Sequence, residues 1–147
     1  MSKTLLNLII ILVSAFLFLL AVYIYVSNRS GDMELYSWLG IDYNNHIFKL
    51  IRNNSCSLSS WVKYNLPDGL WMLSFLLLME SVWGNEKQLK WTFCVPMIVF
   101  AFVLEILQFK GWFPGTGDVL DIVFYIAAIL LFLSLINLKH KWYEENN

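Results

Sequence analysis

From Leu5 to Val26 the chain runs for about 22 residues without a charged side chain. At 1.5 Å of rise per residue, a helix of that length crosses a hydrocarbon core of roughly 30 Å. A secretory leader is the competing reading, but its apolar core is usually about 7 to 15 residues and is followed by small residues at a cleavage site. Tyr23, Tyr25 and Arg29 follow here instead. The segment is therefore expected to stay in place as a signal anchor.

Three more apolar segments repeat the pattern, at 67–83, 91–109 and 119–138, joined by tight connections at 84–90 and 110–118. Short connections make successive helices antiparallel neighbours. Trp71, Trp83, Trp91, Trp112 and Trp142 fall near the ends of these segments, where indole rings favour the headgroup region. The expected fold is an all-α membrane protein, one domain over 1–147. Four transmembrane helices at 5–26, 67–83, 91–109 and 119–138 form an antiparallel bundle, with a long outer loop at 27–66.

That loop is too long to be a bare connection. It carries Leu35, Trp38 and Leu39, then Ile47, Leu50 and Ile51, at helical spacing. Two arrangements fit: short helices on the membrane surface with His46, Lys49 and Arg52 towards water or headgroups, or a cap packed over the bundle. Lysine and arginine divide about evenly between the two sides, but Lys3, Lys87, Lys90, Lys139 and Lys141 crowd short segments beside helix ends. The positive-inside rule weighs such segments most, which favours both termini in the cytoplasm.

A net charge of −1 with 59% hydrophobic and 14% charged residues leaves no basic footprint for nucleic acid. Cys56 and Cys94 fall near opposite sides of the membrane and do not make a disulfide framework. There is no Walker sequence, dinucleotide fingerprint or clustered Cys/His ligand set.

In any alternating four-span topology, the start of the second helix, the end of the third and the start of the fourth share one side. That side collects Asp68, Glu105, Gln108, Asp118 and Asp121 with the turn from Gly111 to Gly117. Asp118 suits the cap of the following helix, Asp121 its positive dipole end, and Asp68 the first turn after Pro67. Glu105 has no such explanation. It lies about 6 Å of helix rise inside the third span among apolar neighbours, where an ionisable residue is a functional hypothesis by default. Gln108 shares its helix face. Glu80, near Lys87 at the opposite end, reads as an interfacial residue or a surface ion pair.

The runs Leu104-Glu105-Ile106-Leu107-Gln108 and Pro114-Gly115-Thr116-Gly117-Asp118-Val119-Leu120-Asp121 resemble the VanZ-like family of bacterial membrane proteins, over roughly the C-terminal half. Pro67-Asp68-Gly69-Leu70-Trp71 does so more loosely. The family pattern pairs Glu and Gln at the end of one helix with two Asp opening the next. Many members carry an arginine in the intervening turn, where this chain has Gly115-Thr116-Gly117, and Asn and Gly in the last helix, where it has Tyr125 and Ala128. The resemblance implies a bacterial cell-envelope protein of the cytoplasmic membrane.

The expected function is an outer-face acidic site that binds or modifies a lipid-linked or headgroup substrate. In such a site Glu105 serves as proton donor and Asp121 as ionised acceptor, with Asp118 beside them. Gln108, Asp68, Trp71 and Trp112 are the expected substrate contacts. No cofactor is expected, although the same oxygens could hold a divalent cation. The other readings are a non-catalytic accessory subunit of a membrane protein complex and an oligomeric proton or cation transport component.

Overall fold

A computed structural model describes residues 3–28, 45–53 and 58–146. Its helices are α1 (Lys3–Asn28), α2 (His46–Asn53), α3 (Ser60–Tyr64), α4 (Leu66–Trp83), α5 (Lys87–Phe109) and α6 (Val119–Asn146). The described residues contain no strand. Three helices are long and apolar enough to cross a membrane, over Thr4–Asn28, Lys87–Phe109 and Val119–Glu145.

α4 sits at the centre, packed on α1, α5 and α6. It carries Asp68 and Glu80 within 18 residues and is the most enclosed of the four long helices, with half of its residues buried. Direction follows from the contacts. Ser14 of α1 meets Ser74 and Phe18 meets Trp71, so α1 and α4 run antiparallel. Asn65 meets Asp121 and Glu80 meets Lys139, so α4 and α6 run parallel.

Each long helix turns one stripe inward. On α1 it is Ile10, Ser14, Leu17, Ala21 and Ile24, at steps of three and four, the spacing of one helix face. Leu12, Phe16 and Leu19, on the other face, are all at least 60% exposed. On α5 the stripe is Lys90, Cys94, Ile98, Ala101 and Glu105, so a charged residue stands at each end of an apolar row. On α6 it is Asp121, Ala128, Phe132 and Ile136. Met72, Leu73, Leu76 and Leu77 of α4 fill the space between them.

Small residues set the closest approaches, as is common where helices pack in lipid. The Ser14 hydroxyl donates to the Ser74 carbonyl at 2.8 Å and the Ser74 hydroxyl donates back to the Ser14 carbonyl at 2.9 Å. Gly69 lies against Phe124 of α6; a β-carbon there would stand 3.1 Å from the Phe124 β-carbon.

The helix termini differ from the sequence expectation mainly in α6, which continues past Leu138 to Asn146. Charge ends an apolar run but not a helix, and Lys141 and Glu145 pair along its surface at i,i+4. α5 passes through Pro96 without breaking. It stops at Gly111, whose φ of +67° forms a Schellman closure. The Gly111 N–H donates to the Gln108 carbonyl and the Trp112 N–H to the Leu107 carbonyl.

The loop expectation divides. Leu35, Trp38 and Leu39 lie outside the described residues, as does Cys56. α2 forms where the periodicity of Ile47, Leu50 and Ile51 places a helix, and it packs on α1 with His46 and Lys49 exposed. α3 packs on α4 and α1, and its Trp61 stacks on Phe124 at 6.1 Å.

Candidate functional site at the acidic end

The parallel course of α4 and α6, with α5 between them in sequence and opposite in direction, brings the end of α5 to the starts of the other two. Glu105 is 3% exposed and Asp121 is 8%. The Glu105 carboxylate accepts the backbone N–H of Asp118 through Oε1. Asp118 in turn caps α6, its Oδ1 accepting the Leu120 N–H at 2.9 Å. That N–H, followed by the Asn65 amide, holds the Asp118 carboxyl below the usual aspartate range.

Asn65 is the hinge pin of the cluster. Its Nδ2 donates to Asp118 Oδ2 and to Asp121 Oδ1, both at 2.9 Å. Three elements are thereby locked at one point: the α3–α4 junction, the end of α5 and the start of α6. The turn between α5 and α6 is tight enough that a β-carbon on Gly117 would come within 2.6 Å of the Phe109 backbone nitrogen. Only glycine fits there, and its neighbour Asp118 is delivered to Glu105 by that close approach.

The remaining expected contacts are distributed. Gln108 Nε2 donates to the Pro114 carbonyl at 3.2 Å and so braces the turn beside the carboxylates. Asp68 is half-buried in the first turn of α4. Trp71 is not with them: it lies on the other side of α4 from Gly69, since two helical residues are about 200° apart, and its ring is tilted against Phe18 of α1 at 5.6 Å. Trp112 is 73% exposed, with the Lys110 ammonium 4.7 Å from its ring centroid. Among the described residues no group of three or more His, Cys, Asp or Glu is placed to hold a metal ion.

A second polar cluster closes the opposite end, and it corrects the reading of Glu80 as a surface group. Glu80 is 2% exposed, and its partners are Lys90 at 2.8 Å and Lys139 at 2.9 Å, not Lys87. Lys139 also donates to Asn7 Oδ1 at 3.3 Å. One polar residue from each long helix converges here. Lys90 is therefore buried in the protein, while Lys139 reaches inward to Glu80 with 12% of its side chain still exposed.

Asn65 and this second cluster escaped sequence reasoning. An asparagine between polar loop residues carries no signal of burial. The second cluster did leave one: Lys90 is in register with Cys94, Ile98, Ala101 and Glu105, so whatever face buries Glu105 also buries Lys90.

Compared with known protein families, curated proteins and solved structures, the chain matches none.

Proposed function

We propose that the chain is a four-span protein of the bacterial cytoplasmic membrane, with both termini cytoplasmic, whose outer acidic end recognises a lipid-linked or headgroup substrate of the cell envelope. The VanZ-like resemblance of the Glu105–Gln108 and Asp118–Asp121 runs supports the envelope assignment. α4 would be the fourth span, carrying Asp68 and Glu80 across because the other three helices surround it.

The observation that carries this reading is the burial of Glu105, inside an apolar helix, beside Asp118 and Asp121. An ionisable group at such a depth is tolerated mainly for function. The chemistry on offer is recognition of groups that donate hydrogen bonds, such as hydroxyls, amides or an ammonium, and proton exchange with them.

One observation favours the accessory-subunit reading instead. Glu105, Asn65, Asp118 and Asp121 are already bonded among themselves and their own backbone, which is the pattern of an interhelical lock.

Extraction of wild type and Glu105→Gln from native membranes in mild detergent, with mass spectrometry of copurifying lipids and proteins, separates the two. Glutamine keeps an oxygen for the Asp118 N–H while removing the charge. A specific envelope lipid held by wild type and lost from the variant is the expected result. A stoichiometric protein partner held by both, with no such lipid, would replace the substrate reading with the accessory one.

A further inference from the structure

Between the first half of α1 and the last part of α6 runs a groove of about 610 Å³, within the usual range of ligand pockets, roughly 300–1,000 Å³. Leu77 of α4 is its floor, with Ile9 and Val13 on one wall and Leu135 and Ile136 on the other. Its polar lining is confined to the end formed by the termini of α1 and α6, where Glu80, Lys139, Lys141, Trp142 and Glu145 gather. The groove is thus elongated along the helices, aliphatic at its inner end and polar at its mouth.

The lining itself carries two cations, Lys139 and Lys141, and two anions, Glu80 and Glu145. Glu80 is also bonded by Lys90, which is buried and outside the lining, so two lysines share one carboxylate and that group keeps one excess positive charge. Both Glu80 oxygens are already occupied, and the Lys141–Glu145 pair is long, at 4.0 Å, and exposed, so it holds its partners weakly. The walls are bulky aliphatic residues, whereas close helix contacts in membranes use small ones, as this chain does at Ser14, Ser74 and Gly69. A flexible chain suits such a surface better than another helix.

We propose that this groove binds one acyl chain of an anionic phospholipid, with its phosphate at Lys139 and Lys141, a site that rests on the chain being embedded in a bilayer and is independent of any ligand at the acidic end. Trp142 lies where an indole meets the headgroup layer.

The test is native mass spectrometry of the full chain, delipidated in mild detergent and titrated with phosphatidylglycerol or phosphatidylcholine of identical acyl chains. One retained phosphatidylglycerol is expected, preferred roughly tenfold, a difference of about 1.4 kcal/mol. Ile9→Trp, which fills the groove from α1, should abolish retention, and Leu135→Trp should do the same from α6 if the first variant loses its helical signal. Lys141→Gln should lower the preference without changing phosphatidylcholine binding. Equal retention of both lipids, phosphatidylglycerol binding that survives filling of the groove, or a dimer that the filled variant dissociates would each overturn the proposal. Alkaline extraction of native membranes separates the two levels: a chain that stays in the pellet but keeps no lipid overturns the groove alone, and a released chain overturns the membrane reading with it.

Discussion

Glu80 and Lys90 meet 2.8 Å apart in the interior, with side chains 2% and 4% exposed, and Lys139 closes on the other carboxylate oxygen at 2.9 Å. Removing one member of such a buried group leaves the others desolvated without a partner. Glu80→Gln should destabilise the protein by about 3–5 kcal/mol, read as a fall in the thermal midpoint in detergent. Replacing all three by Leu, Met and Met should recover most of that loss, because a well-packed apolar set of similar volume needs no compensation.

Glu105 should separate charge from hydrogen bonding. Glu105→Gln keeps an acceptor for the Asp118 N–H and is expected to leave the thermal midpoint nearly unchanged. Glu105→Leu strands that N–H and should lower stability by about 1–3 kcal/mol. Equal effects of the two substitutions would mean that the bond to Asp118 does not hold the α5–α6 turn.

Asn65→Asp is expected to be worse than Asn65→Ala at neutral pH, because it places a third carboxylate 2.9 Å from Asp118 and Asp121. The defect should shrink on acidification, as the crowded carboxylates take up a proton. Thermal melts of both variants from pH 7 to pH 4 would measure it.

Asp118 gives the wild type an opposite pH response. Its folded pKa lies below its ordinary value of about 4, so its contribution is fully present above that value and is lost as pH falls through the lowered folded one. Asp118→Asn should remove this acid-limb loss and flatten the stability profile below pH 4.

Ser14 and Ser74 exchange two hydrogen bonds in mid-helix. In membrane proteins such interhelical bonds average about 0.6 kcal/mol with a maximum near 1.7. Ser14→Ala and Ser74→Ala should each cost no more than that, and the double variant less than their sum, since each removes part of the same reciprocal pair.

How much of this was legible in the sequence depended on what each signal measures. Hydropathy located α1, α5 and α6 because lipid-length apolar runs are local in sequence. Alternation of helix direction was enough to place Glu105, Asp118 and Asp121 together, and they do converge. The position of Trp71 did not follow from the same argument, because topology assigns a residue to an end of the bundle but not to a face of its helix. Glu80 was misplaced for a related reason. A charge near a helix end can extend outwards or turn inwards, and only its partners on three other helices decide which. Asn65 gave no sign at all, since its importance lies in two aspartates more than fifty residues away.

The two lysines that neutralise Glu80 are not made at the same time. Lys90 emerges ten residues after it, whereas Lys139 follows by 59. During synthesis α4 must therefore wait as a helix with a half-satisfied carboxylate, held by α1 through the two serines and by Lys90, until the last helix arrives. Completion of that carboxylate thus depends on the last helix, and a nascent chain shortened before Lys139 should be a preferred target for quality-control proteolysis.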